Sequence, residues 1–265
     1  MRETYQRALI TGATSGIGEA FADILPANTN LILTGRDAGK LTALQERLAH
    51  REREVDIVEA DLRLPGDREK LAERSETLGV DLFVNNAGLG YFSHFTETSA
   101  DDEAAMVDVN VVAVHALTHA LLPGMIERTK ATGRRAGLII VSSVVGHVPM
   151  PYFATYAATK AFDLALAEGL AEELSDEPID ILALCPGATA TNFQSRAGAP
   201  MDMFDRAESA TSVARKGMRA LGHRRVLVSQ LPMRLGLSYN TVIHRIATTG
   251  AHAYFKRLLR GSDKA

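Results

Sequence analysis

The sequence predicts an α/β fold: a single doubly wound domain in which a seven-stranded parallel sheet carries helices on both faces. Three observations predict it. Short apolar, β-branched runs such as Arg7–Thr11 (RALIT) and Leu138–Val141 (LIIV) read as strands buried on both faces. Amphipathic helical stretches alternate with these runs, as the crossovers of a parallel sheet require. The first strand then enters a glycine-rich turn, Gly12 to Gly18, that opens a helix. A chain of 265 residues with 46% hydrophobic composition supplies one large core, and no linker, low-complexity tract or internal repeat divides it.

The totals exclude several classes. A net charge of −3 is too small to imply a nucleic-acid partner, although the charge is uneven: from Met218 onward the chain carries +8 and the remainder −11. The single cysteine, Cys185, leaves no internal disulfide and fits a reducing compartment; between a β-run and Pro186 it reads as a small buried residue. No run of about 18 uncharged apolar residues occurs, so no spanning helix is expected. The start, MRETYQRALITG, leads into the first strand without an apolar signal segment, so a cytoplasmic protein is expected. No His/Cys/Asp cluster has metal-ligand spacing, and no metal is expected.

Element by element, RALIT is followed by Thr11-Gly12-Ala-Thr14-Ser15-Gly16-Ile17-Gly18 and a helix to about Leu25. Strand, glycine turn and helix together present backbone N–H groups and a helix N-terminus to a pyrophosphate, because glycine lets the phosphate approach and the helix dipole favours its charge. Strand two, Asn30 to Thr34, ends in Gly35-Arg36. An acid at that end holds the ribose hydroxyls of NAD and a base accommodates the 2′-phosphate of NADP, so Arg36 predicts NADP(H) in preference to NAD(H). A helix over Ala38–His50, a strand over Val55–Glu59 running into Asp61-Leu62, and a helix over Pro65–Leu78 follow. Strand four, Val80–Val84, ends in Asn85-Asn86-Ala87-Gly88, and Leu89–Phe95 forms a loop at the carboxyl end of the sheet, where open α/β folds keep their ligands. In that loop His94 reads as a surface histidine or a substrate contact. Ser99 and Asp102 form an N-cap signature for a long helix to about Arg128. Within it Asn110 stands in a valine-rich stretch, where an amide must find partners or cost stability.

The chemistry is placed in Gly137–Lys160. After strand five come Ser142-Ser143, a loop through Gly146, Pro149 and Pro151, and a helix (Tyr152 to Leu174) holding Tyr156 and Lys160. Four residues apart on a helix, these side chains share a face, so an ammonium sits beside a phenol and favours its ionisation. Ser143, thirteen residues before Tyr156 at a strand end, completes the set. Strand six, Ile179–Cys185, ends in Pro186-Gly187-Ala188-Thr-Ala-Thr191; segment 192–207 lacks periodicity and suits a substrate lid or a surface loop. A helix over Ser209–Leu221 and a strand over Val226–Ser229 complete the catalytic domain, 1–230.

Thr11 through Gly18, Asn85–Gly88, Asn110, Ser143/Tyr156/Lys160 and Pro186–Thr191, in this order, resemble the classical short-chain dehydrogenase/reductase family, from about residue 7 to residue 191. The resemblance implies a Rossmann-type fold binding a nicotinamide dinucleotide over Gly12, Thr14, Ser15, Gly16, Ile17 and Gly18. It implies that Asp61 and Leu62 contact the adenine and that Asn86, Ala87 and Gly88 line the cofactor. Pro186, Gly187, Ala188 and Thr191 would hold the nicotinamide carboxamide. Asn110 would kink its helix and hold a water that relays protons to Lys160. Ser143 would orient the substrate oxygen, Tyr156 act as general acid/base, and Lys160 bind the ribose and lower the Tyr156 pKa.

An oxidoreductase acting on a carbonyl or secondary alcohol is therefore expected, with an NADP(H)-binding redox sensor, or a lyase or epimerase on the same fold, as the alternatives. Residues expected at the pocket (Leu89, Tyr91, Phe92, Val144, Val145, His147, Met150, Tyr152, Phe153, Met201 and Met203) are mostly apolar, which favours a bulky apolar small molecule. By resemblance, a homodimer or homotetramer through the helices over Ser99–Arg128 and Tyr152–Leu174 is expected. The C-terminal extension 231–265 is basic and amphipathic, which suits a cover for the substrate site, a subunit contact or a weak peripheral membrane surface.

Overall fold

The structure is a computed structural model that describes residues 5–50, 52–199 and 207–230. Seven parallel strands form the central sheet in the order β3-β2-β1-β4-β5-β6-β9: β1 (Arg7–Thr11), β2 (Asn30–Gly35), β3 (Val55–Glu59), β4 (Leu82–Asn85), β5 (Ala136–Val141), β6 (Ile179–Cys185) and β9 (Val226–Val228). A two-residue pair, β7 (Thr189–Ala190) with β8 (Glu208–Ser209), joins the segment after β6 to the start of the last helix.

Strand side chains alternate between two cores. Ala8, Ile10, Leu31, Leu33, Leu82 and Val84 meet Phe21, Leu41, Leu44 and Val213 on one face. Those partners come from α1 (Gly16–Ile24), α2 (Ala38–Leu48) and α8 (Ala210–Ala220). Leu9, Ile32, Phe83, Leu138 and Ile140 meet Leu71, Leu117, Leu121 and Leu164 on the other. These belong to α3 (Pro65–Leu78), α5 (Val114–Thr132) and α6 (Ala154–Glu173). Because both faces are covered, the strands are apolar throughout rather than alternating, as the sequence pattern required.

The helix starts follow the predicted capping chemistry. The Ser99 hydroxyl accepts from the Asp102 N–H at 3.1 Å and donates to the Asp102 carboxylate at 2.8 Å, opening α4 (Ala100–Val107). The single helix expected from Ser99 is not uniform, however. Between α4 and α5 lies a π-helical turn, Asp108–Ala113, with Asn110 at its centre. The whole stretch Ala100–Thr132 is long and apolar enough to cross a membrane by length and composition, with mean hydropathy 1.5 in its most apolar window. The absence of an uncharged apolar run did not anticipate this. In the fold 56% of that window is buried, so its apolar character is used by the core under the sheet. Segment 192–207, expected to be irregular, begins with a short helix, α7 (Phe193–Ala197). Met201, Met203 and the C-terminal extension lie outside the described residues.

Candidate active site

The strand order reverses between β1 and β4, and the carboxyl ends of the central strands line up there: Thr11 on β1, Asn85 on β4, Val141 on β5 and Cys185 on β6. This crevice is where a doubly wound sheet binds its ligand. A cleft of about 940 Å³ occupies it. Of the residues expected to hold a cofactor, all but Gly18 line the cleft; Gly18 is buried beneath the turn. Asn110 is buried behind it.

The glycine turn is shaped by close approach. Gly12 and Gly16 have φ of +64° and +61°, the left-handed region that favours glycine. The turn is stapled to β4: the Thr11 hydroxyl accepts from the Asn86 and Ala87 N–H groups at 2.9 and 3.0 Å, and Asn86 Nδ2 donates to the Thr11 carbonyl at 2.8 Å. Ser15, at the N-cap of α1, makes no side-chain cap bond, and Ser15, Gly16 and Ile17 line the cleft. An uncapped helix start behind glycines suits a pyrophosphate. At the far end of the cleft stand Arg36, Lys40 and Arg63. The nearby acids are engaged: Asp37 caps α2 by accepting from the Lys40 N–H at 3.0 Å, and Asp61 is bound by the Arg63 guanidinium at 2.5 and 3.0 Å. The Arg63 hydrogen bond holds the Asp61 carboxyl below its usual range. These donors and glycines fit a dinucleotide.

At the other end, the structure brings Ser143, Tyr156 and Lys160 together. The Ser143 hydroxyl faces the Tyr156 phenol and favours its ionised form. Lys160 Nζ lies 6.0 Å from the Tyr156 ring centroid, donates to the Val141 carbonyl at 2.9 Å and pairs with Asp163 Oδ2 at 2.9 Å. The loop after β5 is held against α6 by the Ser142 hydroxyl, which donates to the Lys160 carbonyl at 2.6 Å. Gly146, in a 3-10 turn at Val144–His147, permits this approach, since a Cβ there would stand 2.6 Å from that same carbonyl oxygen. Asn110 is fully satisfied. Its Oδ1 accepts from the Leu89 N–H at 2.8 Å, and its Nδ2 donates to the Leu89 carbonyl at 2.8 Å and to the Thr159 hydroxyl at 2.9 Å. The Asn110 amide thus ties the π turn to the loop after β4 and to α6.

One electrostatic expectation is corrected. The Lys160 charge and the Ser143 hydroxyl do favour the phenolate, but burial is the larger effect and the Tyr156 pKa lies above its ordinary value. Lys160 is itself raised: burial works against its charge, and Asp163 restores it. Cys185 behaves as a buried residue, its thiol pushed up to about 12 by desolvation.

Tyr156 is half-buried, and its ring is flanked by aromatic neighbours. Phe153 and Phe193 stand 5.6 and 5.2 Å from its ring, centroid to centroid, and Phe92 packs on Phe153 at 5.1 Å. Phe193 fits because residue 90 is glycine: a Cβ there would lie 2.5 Å from the Phe193 ring. Leu89, Tyr91, Val144, Val145, Met150 and Phe153 line the cleft as expected, whereas Phe92, His147 and Tyr152 do not. His94 is exposed and packs edge-on against Tyr152 at 4.9 Å, outside the cleft. Sequence reasoning missed Phe193, Arg63, Thr159 and Asp163; only Arg63 carried a signal, as a base near the Asp61-Leu62 segment.

Residues 6–202 match the family model described as short chain dehydrogenase. The chain therefore belongs to the short-chain dehydrogenase family, nucleotide-binding oxidoreductases on a Rossmann-type fold. Among solved structures, it is similar to a short-chain dehydrogenase from Sphingobium yanoikuyae in complex with NADPH (29% identity, 93% of this chain and 94% of that one, TM-score 0.79). It is also similar to the bulky-bulky ketone specific alcohol dehydrogenase from Comamonas testosteroni (26%, 91% and 94%, TM-score 0.73). A third is a short chain dehydrogenase/reductase from Burkholderia phymatum in complex with NAD (25%, 89% and 92%, TM-score 0.75).

Proposed function

We propose that this chain is an NADP(H)-dependent oxidoreductase acting on the carbonyl or secondary alcohol of a bulky apolar substrate. The observation that carries the reading is the Ser143–Tyr156–Lys160 cluster, set on the wall of the same cleft that the glycine turn lines. When bound, the nicotinamide supplies or accepts a hydride. The chain does the rest. Ser143 holds the substrate oxygen through its hydroxyl, and Tyr156 delivers a proton to that oxygen from its phenol, or withdraws one in the reverse direction. Negative charge builds on this oxygen as a carbonyl is reduced, so both donors act where charge develops. Lys160 holds the nicotinamide ribose and keeps a positive charge beside the phenol. Asn110 fixes the backbone along which a water resupplies the proton. Phe193, Phe153, Met150, Val144, Val145 and Leu89 give the substrate end a largely apolar wall, with Arg196 as a cation of the same lining, which supports a bulky ketone or alcohol. The similarity to a dehydrogenase specific for bulky-bulky ketones points the same way.

NADP(H) is favoured because Arg36 follows β2, Lys40 and Arg63 stand nearby, and no free carboxylate replaces them at Gly35. The test is a panel of hydrophobic ketones and alcohols followed by nicotinamide absorbance, with NADPH and NADH in parallel. A charge-assisted contact to a phosphate contributes roughly 1.5–3 kcal/mol, so wild type is expected to prefer NADPH by roughly ten- to a hundredfold in kcat/KM. Arg36→Asp is expected to erase or invert that preference while NADH turnover survives. Equal use of both cofactors, unmoved by Arg36→Asp, overturns the cofactor assignment.

A further inference from the structure

Asp163 lies one turn after Lys160 on α6, and none of its surface reaches solvent. Its Oδ2 accepts from Lys160 Nζ at 2.9 Å, while its Oδ1 is buried without a hydrogen-bond partner. A carboxylate left half-satisfied in the interior costs stability, so this pair is poorly explained as a fold-stabilising contact. Its position beside the reacting groups suggests another role. An ammonium has three N–H donors. One of Lys160's is held by the Val141 carbonyl and one by Asp163, which fixes the head group and leaves a single donor for the cleft.

We propose that Asp163 is a positioning residue of the active site: it clamps Lys160 and offsets most of its charge, so that Tyr156 keeps its proton to higher pH than a lone lysine would allow. The inference rests on the roles proposed above for Tyr156 and Lys160. Physically, a lone ammonium beside a phenol favours the phenolate, whereas an ammonium paired at 2.9 Å acts on it as a short dipole, whose field falls off faster. The net direction at Tyr156 agrees, with Lys160 lowering, Asp163 raising and burial dominant. Beyond this trio, Cys185 on β6 acts on both Lys160 and Asp163 only weakly, since its thiol stays neutral, and Glu168 faces Cys185. The other elements against α6 carry His147 in the 3-10 turn, Asp108 in the π turn, and Asp101, Asp102 and Glu103 on α4. In function, the device favours the protonated phenol at neutral pH, the form that carbonyl reduction consumes.

The test is a phenolate absorbance titration of the cofactor-free full chain, taken as the difference between each protein and its Tyr156→Phe partner so that only Tyr156 is read. Asp163→Asn is expected to lower the Tyr156 midpoint by about one pH unit, and Asp163→Glu to return it close to wild type. The rising limb of NADP-linked alcohol oxidation against pH is expected to move the same way. A midpoint that stays put or rises in Asp163→Asn overturns the inference, as does failure of Asp163→Glu to restore it. If Asp163→Asn does not fold, judged by circular dichroism, Asp163→Ser is read by the same difference with the same expected direction. Should Tyr156→Phe keep full turnover, the underlying reading of the phenol falls and this inference with it. A dead Tyr156→Phe with an unmoved midpoint brings down the role of Asp163 alone.

Discussion

Tyr156→Phe is expected to lower kcat by roughly 10²- to 10⁴-fold, the contribution of a positioned general acid/base, with NADPH binding and the melting temperature close to wild type. The separation follows from what the oxygen touches. The phenyl ring keeps its contacts with Phe153 and Phe193 at 5.6 and 5.2 Å, so packing of the wall is preserved. Lys160 does not depend on the phenol for its place, because the Val141 carbonyl and Asp163 hold its Nζ. Only the hydroxyl that faces Ser143 and the proton it carries are removed. Steady-state kinetics on the best substrate of the panel, with NADPH affinity from cofactor fluorescence, checks both halves. Turnover within threefold of wild type would remove Tyr156 from the chemistry; lost NADPH binding would mean that the substitution acts through the cleft rather than through the proton.

Most of the sheet was legible in the sequence because each strand is a short apolar run ended by a recognisable residue: Thr11 before Gly12, Gly35 before Arg36, Cys185 before Pro186. Start and stop signals mark α3 (Pro65–Leu78), with proline at its start and Gly79, at φ +74°, at its end. The resemblance placed an irregularity at Asn110, but its form, a π turn at Asp108–Ala113, was not legible, since its valines and alanine satisfy a helical pattern equally well and the Asn110 amide bonds that accompany it are visible only in three dimensions. The direction of the Tyr156 pKa was misjudged for a related reason. Lys160 is its neighbour in sequence, but the burial that outweighs Lys160 depends partly on Phe193, 37 positions away, fitting over Gly90. Asp163 follows Lys160 by three residues, but that the pair is enclosed is visible only in three dimensions.

Gly18→Ala is expected to weaken NADPH binding by at least about tenfold, equivalent to about 1.4 kcal/mol, and to destabilise the fold by roughly 1–3 kcal/mol through overpacking. Gly18 has ordinary backbone angles, so strain in φ is not the cause. A Cβ at this position would run into the Gly12 carbonyl oxygen and stand 2.6 Å from Asn86 Nδ2. Neither obstacle can give way cheaply. The first is backbone in a turn that already holds φ +64°, and the second is tied to the Thr11 carbonyl at 2.8 Å. The methyl group therefore has to lift α1 away from the turn, and with it the N–H groups that would face the pyrophosphate. Gly169→Ala on α6 is the matched control, because a Cβ there meets nothing within 4 Å. It is expected to leave NADPH affinity unchanged and to stabilise the helix by roughly 0.5–1 kcal/mol. Isothermal titration with NADPH and thermal melting of both variants decide the matter: if Gly18→Ala binds and melts like Gly169→Ala, the contact between turn and helix does not shape the cofactor end of the cleft.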